Sequence, residues 1–201
     1  MARFTRPSNT VVFQGLPGAY SHLACRHELP QMHARPMDAF EDTFAAVHDG
    51  RAKYAMTPIE NSVAGRVADI HRLMPESGLY ITAEHFMRVN HHLLVLPGAS
   101  LKTIKTVRSH VHALGQCRAF IRRHGLKAVV HADTAGAAAE LASHGDVTEG
   151  AIASTLAGEI YGLKSLRFNI EDADHNTTRF LLLAKRPVRH KPGSGRLMTT
   201  F

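Results

Sequence analysis

The chain's 201 residues are 44% hydrophobic, carry 24 Lys and Arg against 17 Asp and Glu, and include two Cys and no Trp. A chain of this length and mixture folds as one or two compact lobes, and collagen, coiled coil and disordered polymer are excluded. The net charge of +7 sits mostly in the tail: from Lys185 to Phe201 there are five basic residues and no acid, leaving 19 basic against 17 acidic side chains in residues 1–184. With no basic stripe interleaved with aromatics in the body, a nucleic-acid partner is not expected. A membrane span is not expected either, because the longest apolar run, Leu93–Leu96, stops at Pro97, far short of the ~18 residues needed. Cys25 and Cys117 lie far apart without CxxC spacing, and the first residues lack a secretory apolar stretch, so a reducing cytoplasm is the expected location.

In chain order, the β-branched run Thr10–Gln14 predicts a strand, Gly15-Leu16-Pro17-Gly18 a turn, and residues 19–29 a helix. Asp38 with Glu41 three residues on predicts an N-cap for a helix over about 38–49, closed by Gly50. Lys53–Thr57 reads as a short buried strand that delivers the polar segment Pro58-Ile59-Glu60-Asn61-Ser62 at its carboxyl end, with Val63, Val67, Ile70 and Leu73 then at helical spacing. Further strands are expected near 79–86, 90–96, 105–109, 127–131, 149–153, 166–170 and 178–184, and helices near 112–124, 134–143 and 154–161. The alternation indicates an α/β protein. A polar break at Arg88–His91 and a returning last strand suggest two lobes, about 10–87 with 178–185, and about 88–177, with residues 186–201 as a basic tail. Ligands of such sheets sit beyond strand carboxyl ends, so the cleft between lobes is the expected site.

Several segments carry polar groups suited to holding an anion. Gly15-x-x-Gly18-x-Tyr20-Ser21 stands at a helix start, where unpaired N–H groups and the Ser21 hydroxyl could face a ligand. Glu60-Asn61-Ser62 offers a carboxylate, an amide and a hydroxyl in succession beside Gly65. Ser109-His110, with Gln116 and Cys117 behind them, does not form a nucleophile pair, since adjacent strand residues point to opposite faces. Ser109 is better read as a hydrogen-bond donor and Cys117 as a small buried residue. The fifteen His are scattered without ligand spacing, so no metal is expected, and the histidines read as surface residues. Asp133-Thr134 caps a run of small residues, and Arg179, between Thr178 and Phe180, could hold a carboxylate in a two-pronged hydrogen bond.

Taken together, Gly15-x-x-Gly18-x-Tyr20-Ser21, Pro58-Ile59-Glu60-Asn61-Ser62-x-x-Gly65, Ser109-His110 with Gln116-Cys117, Asp133-Thr134-Ala135-Gly136 and Thr178-Arg179-Phe180 stand in the order found in prephenate dehydratases, and the chain resembles that family from about Val11 to Lys185. The resemblance implies a two-lobed α/β domain of the periplasmic-binding-protein type 2 arrangement, an interlobe active site, no cofactor, and a homodimer or higher homo-oligomer. It implies conversion of prephenate to phenylpyruvate, water and carbon dioxide in phenylalanine biosynthesis. By the same resemblance Thr178 bonds the departing hydroxyl and Arg179 anchors a carboxylate. Glu60, Asn61, Ser62, Ser21, Ser109, Gln116, Thr134 and Phe180 line the cleft, with Glu60 a general acid if burial keeps it protonated. The ending from Gly195 resembles a linker to a phenylalanine-binding regulatory domain, so feedback by phenylalanine is not expected. The rivals are an arogenate dehydratase of the same fold and a non-catalytic dicarboxylate-binding module.

Overall fold

A computed structural model describes residues 6–188. In chain order the first half holds β1 (Thr10–Gln14), α1 (Tyr20–Glu28), β2 (His33–Met37), α2 (Phe40–His48), β3 (Tyr54–Asn61), β4 (Gly65–Arg66), α3 (Ala68–Leu73) and β5 (Tyr80–Arg88). The second holds β6 (His92–Val95), β7 (Thr106–Ser109), α4 (Val111–Gln116), α5 (Arg118–Arg123), β8 (Lys127–Val130), α6 (Thr134–His144), β9 (Glu149–Ala153), α7 (Thr155–Tyr161), β10 (Lys164–Arg167) and β11 (Thr177–Ala184).

Two sheets divide these strands. One runs β2-β1-β3-β11-β5, with β4 paired to β3, and the other β10-β6-β9-β7-β8. Read from β2 and from β8, the two are alike: three parallel strands, then one antiparallel to them, then a fifth antiparallel to the fourth. The chain crosses between the lobes at residues 89–91 and returns through 168–176 to lay β11 beside β3. This is the two-lobed, type 2 solute-binding arrangement expected from the sequence.

Each sheet is covered on both faces, which explains why its central strands are apolar without alternation. In β1, Val12 packs with Phe44, Val47 and Ile70, while its neighbours Val11 and Phe13 pack with Ala24, Cys25, Met56 and Phe180. In β6, Leu93 and Val95 join Val107, Leu114 and Ile152, and Leu94 joins Ala137, Leu141 and Ala157. Each fully buried Leu or Phe contributes about 1.5–3 kcal/mol. Cys117 is fully buried, and burial pushes its thiol pKa up.

Four local expectations are corrected. Asp38 is not the N-cap of α2: Ala39 holds that position with no side-chain cap, and Glu41 instead accepts from Arg72 at 2.9 Å. β2 has no counterpart in the sequence reading, because Pro36 and the charged Arg35 disguise it; it lies at the sheet edge, where a proline is tolerated. Glu60 and Asn61 do not follow β3 but belong to it, since β11 extends the ladder through Arg179↔Glu60 and Thr178↔Asn61. Helix α3 therefore starts only at Ala68. The helix expected over 112–124 breaks at Cys117, where the Asp172 carboxylate accepts from Ala119 N at 3.1 Å and Asp172 N donates to Gln116 O at 2.6 Å. Most of the basic tail, residues 189–201, lies outside the described residues.

Candidate active site

The lobes are clasped at one end of the cleft. Gly18, at φ +92° in the turn between β1 and α1, packs directly on α7: a Cβ there would stand 2.7 Å from Ala157 Cα. Ser154 Oγ, which also caps α7, donates to Gly18 O at 2.6 Å, and Tyr161 OH donates to Pro17 O at 2.9 Å. The Gly15–Gly18 turn thus sets the distance between the lobes.

Between them lies a cavity of about 470 Å³, whose walls include Gln14, Tyr20, Ser21, Asn61, Thr178 and Phe180 from the first lobe and His110, Gln116 and Thr134 from the second. Asn61 stands in its wall. Its Oδ1 accepts from Val63 N at 2.9 Å and Ala64 N at 2.7 Å, so its NH₂ group is turned to Asn176 Oδ1 at 2.8 Å and to Thr178 Oγ1 at 2.9 Å. Because Thr178 Oγ1 receives that hydrogen bond, its own proton is available to the cavity. Asn176 Nδ2 donates to Gln116 Oε1 at 2.8 Å, and His91 Nε2 meets the same oxygen at 2.7 Å. On its other side His91 Nδ1 lies 2.8 Å from Tyr20 OH, which also reaches Asn90 O at 2.8 Å. One polar chain therefore joins β3, β11, the return crossover, α4, the first crossover and α1. Burial lowers the pKa of His91, opposed by its bond to Gln116 and by the nearby Glu171 carboxylate.

The structure gathers six of the ten residues singled out by sequence: Ser21, Asn61, Gln116, Thr134, Thr178 and Phe180 line the cavity. Four lie elsewhere. The Arg179 side chain alternates away from Thr178 and Phe180. Its Nε and Nη2 bind Glu84 Oε2 at 2.8 and 2.7 Å, and its guanidinium carbon lies 5.8 Å from the Phe86 ring centre. It is not among the cavity residues, where the expected anchor would stand. Glu60 is exposed and outside the cavity, so it is not placed to act there as an acid. Ser62 Oγ donates to His175 O at 2.7 Å and accepts from Thr177 N at 2.9 Å, tying β3 to the return crossover. Ser109 is fully buried and donates to Ile152 O at 2.5 Å, joining β7 to β9.

The sequence reading also passed over residues that the fold brings in. His91 and His92 are 3% and 6% exposed, not surface histidines. Asn176, buried, joins the two halves of the polar chain. The signal available for His91 was its place in the polar break between two apolar strands, at a crossover into the cleft.

Among the described residues no Lys or Arg lines the cavity, and Asp133, which accepts from Gly136 N at 2.6 Å to cap α6, is its one carboxylate. Positive potential comes instead from the first turns of α1 and α6, whose starts at Tyr20-Ser21 and Thr134 form part of the wall. Helix starts carry unpaired N–H groups and the positive end of the helix dipole, which favour an anion.

Comparison with known proteins accounts for this pairing of segments. The prephenate dehydratase family model matches residues 11–188. A bifunctional N-acyl-homoserine lactone acylase/prephenate dehydratase of Komagataeibacter europaeus is 50% identical over 191 residues, covering 95% of this chain and 68% of that protein. The chloroplastic arogenate dehydratase/prephenate dehydratase 1 of Arabidopsis thaliana is 42% identical over 178 residues, and there the match covers 89% of this chain but only 45% of the relative. Among solved structures, the prephenate dehydratase of Arthrobacter aurescens in complex with L-Phe superposes with a TM-score of 0.83 at 29% identity, over 90% of this chain and 63% of that one. The match runs from β1 to the end of β11, through both lobes and every strand that borders the cavity, and the chain belongs to the prephenate dehydratase family.

Proposed function

We propose that the chain is a prephenate dehydratase: it converts prephenate to phenylpyruvate, water and carbon dioxide in the cleft around Thr178. The observation that carries this is the Asn61–Thr178 hydrogen bond, which makes the Thr178 hydroxyl an acceptor from the protein and so a donor to the ligand. Prephenate is a dianion, and its fragmentation takes up one proton as the ring becomes aromatic. The barrier falls if donors already point at the oxygen on which charge develops. Thr178 O–H supplies one such donor and the NH₂ of Gln116 another, while the starts of α1 and α6 hold the carboxylates without a guanidinium. Pro58, Val67 and Phe180 give the ring an apolar wall. The working unit is proposed to be a homodimer, following the family.

The assay is phenylpyruvate release from prephenate by wild type and Thr178→Val. A loss of roughly 10²–10³-fold in kcat is expected for removing one preorganised donor; unchanged turnover would take Thr178 out of the mechanism, and no release by wild type would end the proposal.

One observation favours a second substrate. Asp133 is a carboxylate in the wall, and it could accept from the amine that distinguishes arogenate from prephenate. Its engagement with the α6 start makes prephenate the better fit, and kcat/KM on the two acids separates them. The acylase activity in the Komagataeibacter protein's name is a further arm of the same assay. Such hydrolysis needs a nucleophile with a free base beside it, whereas both ring nitrogens of His91 are engaged.

A further inference from the structure

The polar chain across the cleft has a direction, and it is set by backbone. Val63 N and Ala64 N can only donate, so Asn61 Oδ1 must face them; Thr177 O, 3.3 Å from Asn61 Nδ2, can only accept and fixes the same orientation from the other end. Asn61 is then a donor to Asn176 Oδ1, which turns the Asn176 NH₂ to Gln116. Gln116 must answer with its carbonyl oxygen. That oxygen also faces His91 Nε2 at 2.7 Å, and a hydrogen bond there requires the proton to be on Nε2. A neutral imidazole has one N–H, so Nδ1 is left as an acceptor toward Tyr20 OH, whose single proton is then shared between Nδ1 and the Asn90 carbonyl, each 2.8 Å away.

We propose that His91 is a positioning residue: as the Nε2–H tautomer it and Asn176 clamp the Gln116 carbonyl from two sides, which leaves the Gln116 NH₂ as the group presented to the cavity. Gln116 Nε2 has no protein hydrogen-bond partner among the described residues, while Gln116 itself lines the cavity. An amide can present either its oxygen or its nitrogen to a ligand with little change of shape. For a dianion the two are opposite in effect, and the clamp decides between them. The Nε2–H survives when His91 gains a second proton, so the clamp holds in both charge states. The groups facing the ring are Gln116, Tyr20 and the Glu171 carboxylate, which accepts from His91 N at 2.8 Å.

The inference rests on the dehydratase reading for its consequence but not for its geometry, so its test has a structural readout. Imidazole ¹⁵N spectra of the full chain, with His91 assigned by its loss in His91→Gln, should show the neutral Nε2–H form. In Asn176→Asp the carboxylate still accepts from Asn61 but repels the Gln116 oxygen. Gln116 then turns over, donates to Asp and to His91 Nε2, and forces the Nδ1–H form, with Tyr20 donating to Asn90 O. His91 found as Nδ1–H in wild type, or keeping its Nε2 proton in Asn176→Asp, would overturn the proposal.

In the phenylpyruvate assay His91→Leu should lose about tenfold or more in kcat/KM, the worth of a hydrogen bond to a fixed donor. His91→Gln, whose NH₂ can occupy the Nε2 position, should recover most of it. Equal losses in Leu and Gln variants would also count against the clamp. If the tautomers behave as stated but wild type does not turn over prephenate, the substrate assignment fails and the clamp stands.

Discussion

Gly18→Ala probes the clasp that sets the cleft, and Gly98→Ala serves as its internal control. The two glycines have nearly the same φ, +92° and +89°, but the Gly98 site is open, with nothing within 4 Å of an added Cβ. At Gly18 the new methyl would meet Ala157 Cα at 2.7 Å, Ala157 Cβ at 2.9 Å and Ala157 N at 3.1 Å. Contacts with backbone cannot be relieved by a rotamer change, so α7 must move and the bonds from Ser154 and Tyr161 lengthen. Both variants carry the cost of a left-handed Ala, about 1–2 kcal/mol, less a few tenths regained from the stiffer unfolded chain. Overpacking adds about 1–3 kcal/mol at Gly18 alone. Taking the middle of that range, about 2 kcal/mol, and roughly 2–4 °C per kcal/mol for a chain of this size, Gly18→Ala should melt roughly 4–8 °C below Gly98→Ala. Calorimetry or circular dichroism measures the difference. The phenylpyruvate assay should show kcat/KM falling in the first variant and not in the second. Equal melting temperatures would mean that the lobes do not depend on this contact.

Other perturbations separate residues that the family resemblance groups together. Arg179→Ala should change KM for prephenate by less than about threefold and cost at most about 1 kcal/mol in urea unfolding, since its pair with Glu84 is partly solvated; a tenfold rise in KM would restore Arg179 as the carboxylate anchor. Ser109→Ala should cost about 1–3 kcal/mol, because the buried Ile152 carbonyl loses its side-chain donor, with KM unchanged. Burial lowers the pKa of His22, His91, His92 and His110 below the free-imidazole value of about 6.5. The unfolded chain therefore binds more protons in the window below that value, and their contribution is complete above about pH 6.5 and lost as pH falls through the lowered values. The melting temperature should be lower at about pH 5 than at about pH 7.5, and a flat profile would contradict the burial argument.

In the proposed site the starts of α1 and α6, rather than a guanidinium, hold the carboxylates, and that bears on salt. Potential from N–H groups at the cavity wall is screened less than that of a mobile surface cation. The KM for the dianion should accordingly rise only modestly between low and physiological ionic strength.

The sequence by itself determined the α/β alternation apart from β2 and the break between α4 and α5, the turn at Gly15–Gly18, the two-lobe division and the segments that supply the cleft, because periodicity, turn residues and motif order are local properties of the chain. Thr178, Asn61 and Gln116 were legible for the same reason. Which side chains of a motif face the cavity was decided only in three dimensions. Arg179 is adjacent to Thr178 in the chain, but strand alternation turns it to Glu84, and Ser109 stands on a strand whose neighbour β9 takes up its hydroxyl. His91 and Asn176 gave no motif of their own. They matter because two crossovers, 85 residues apart in the chain, are brought side by side when β11 returns to the first sheet, and hydrogen-bond polarity passes through space where the sequence records no spacing.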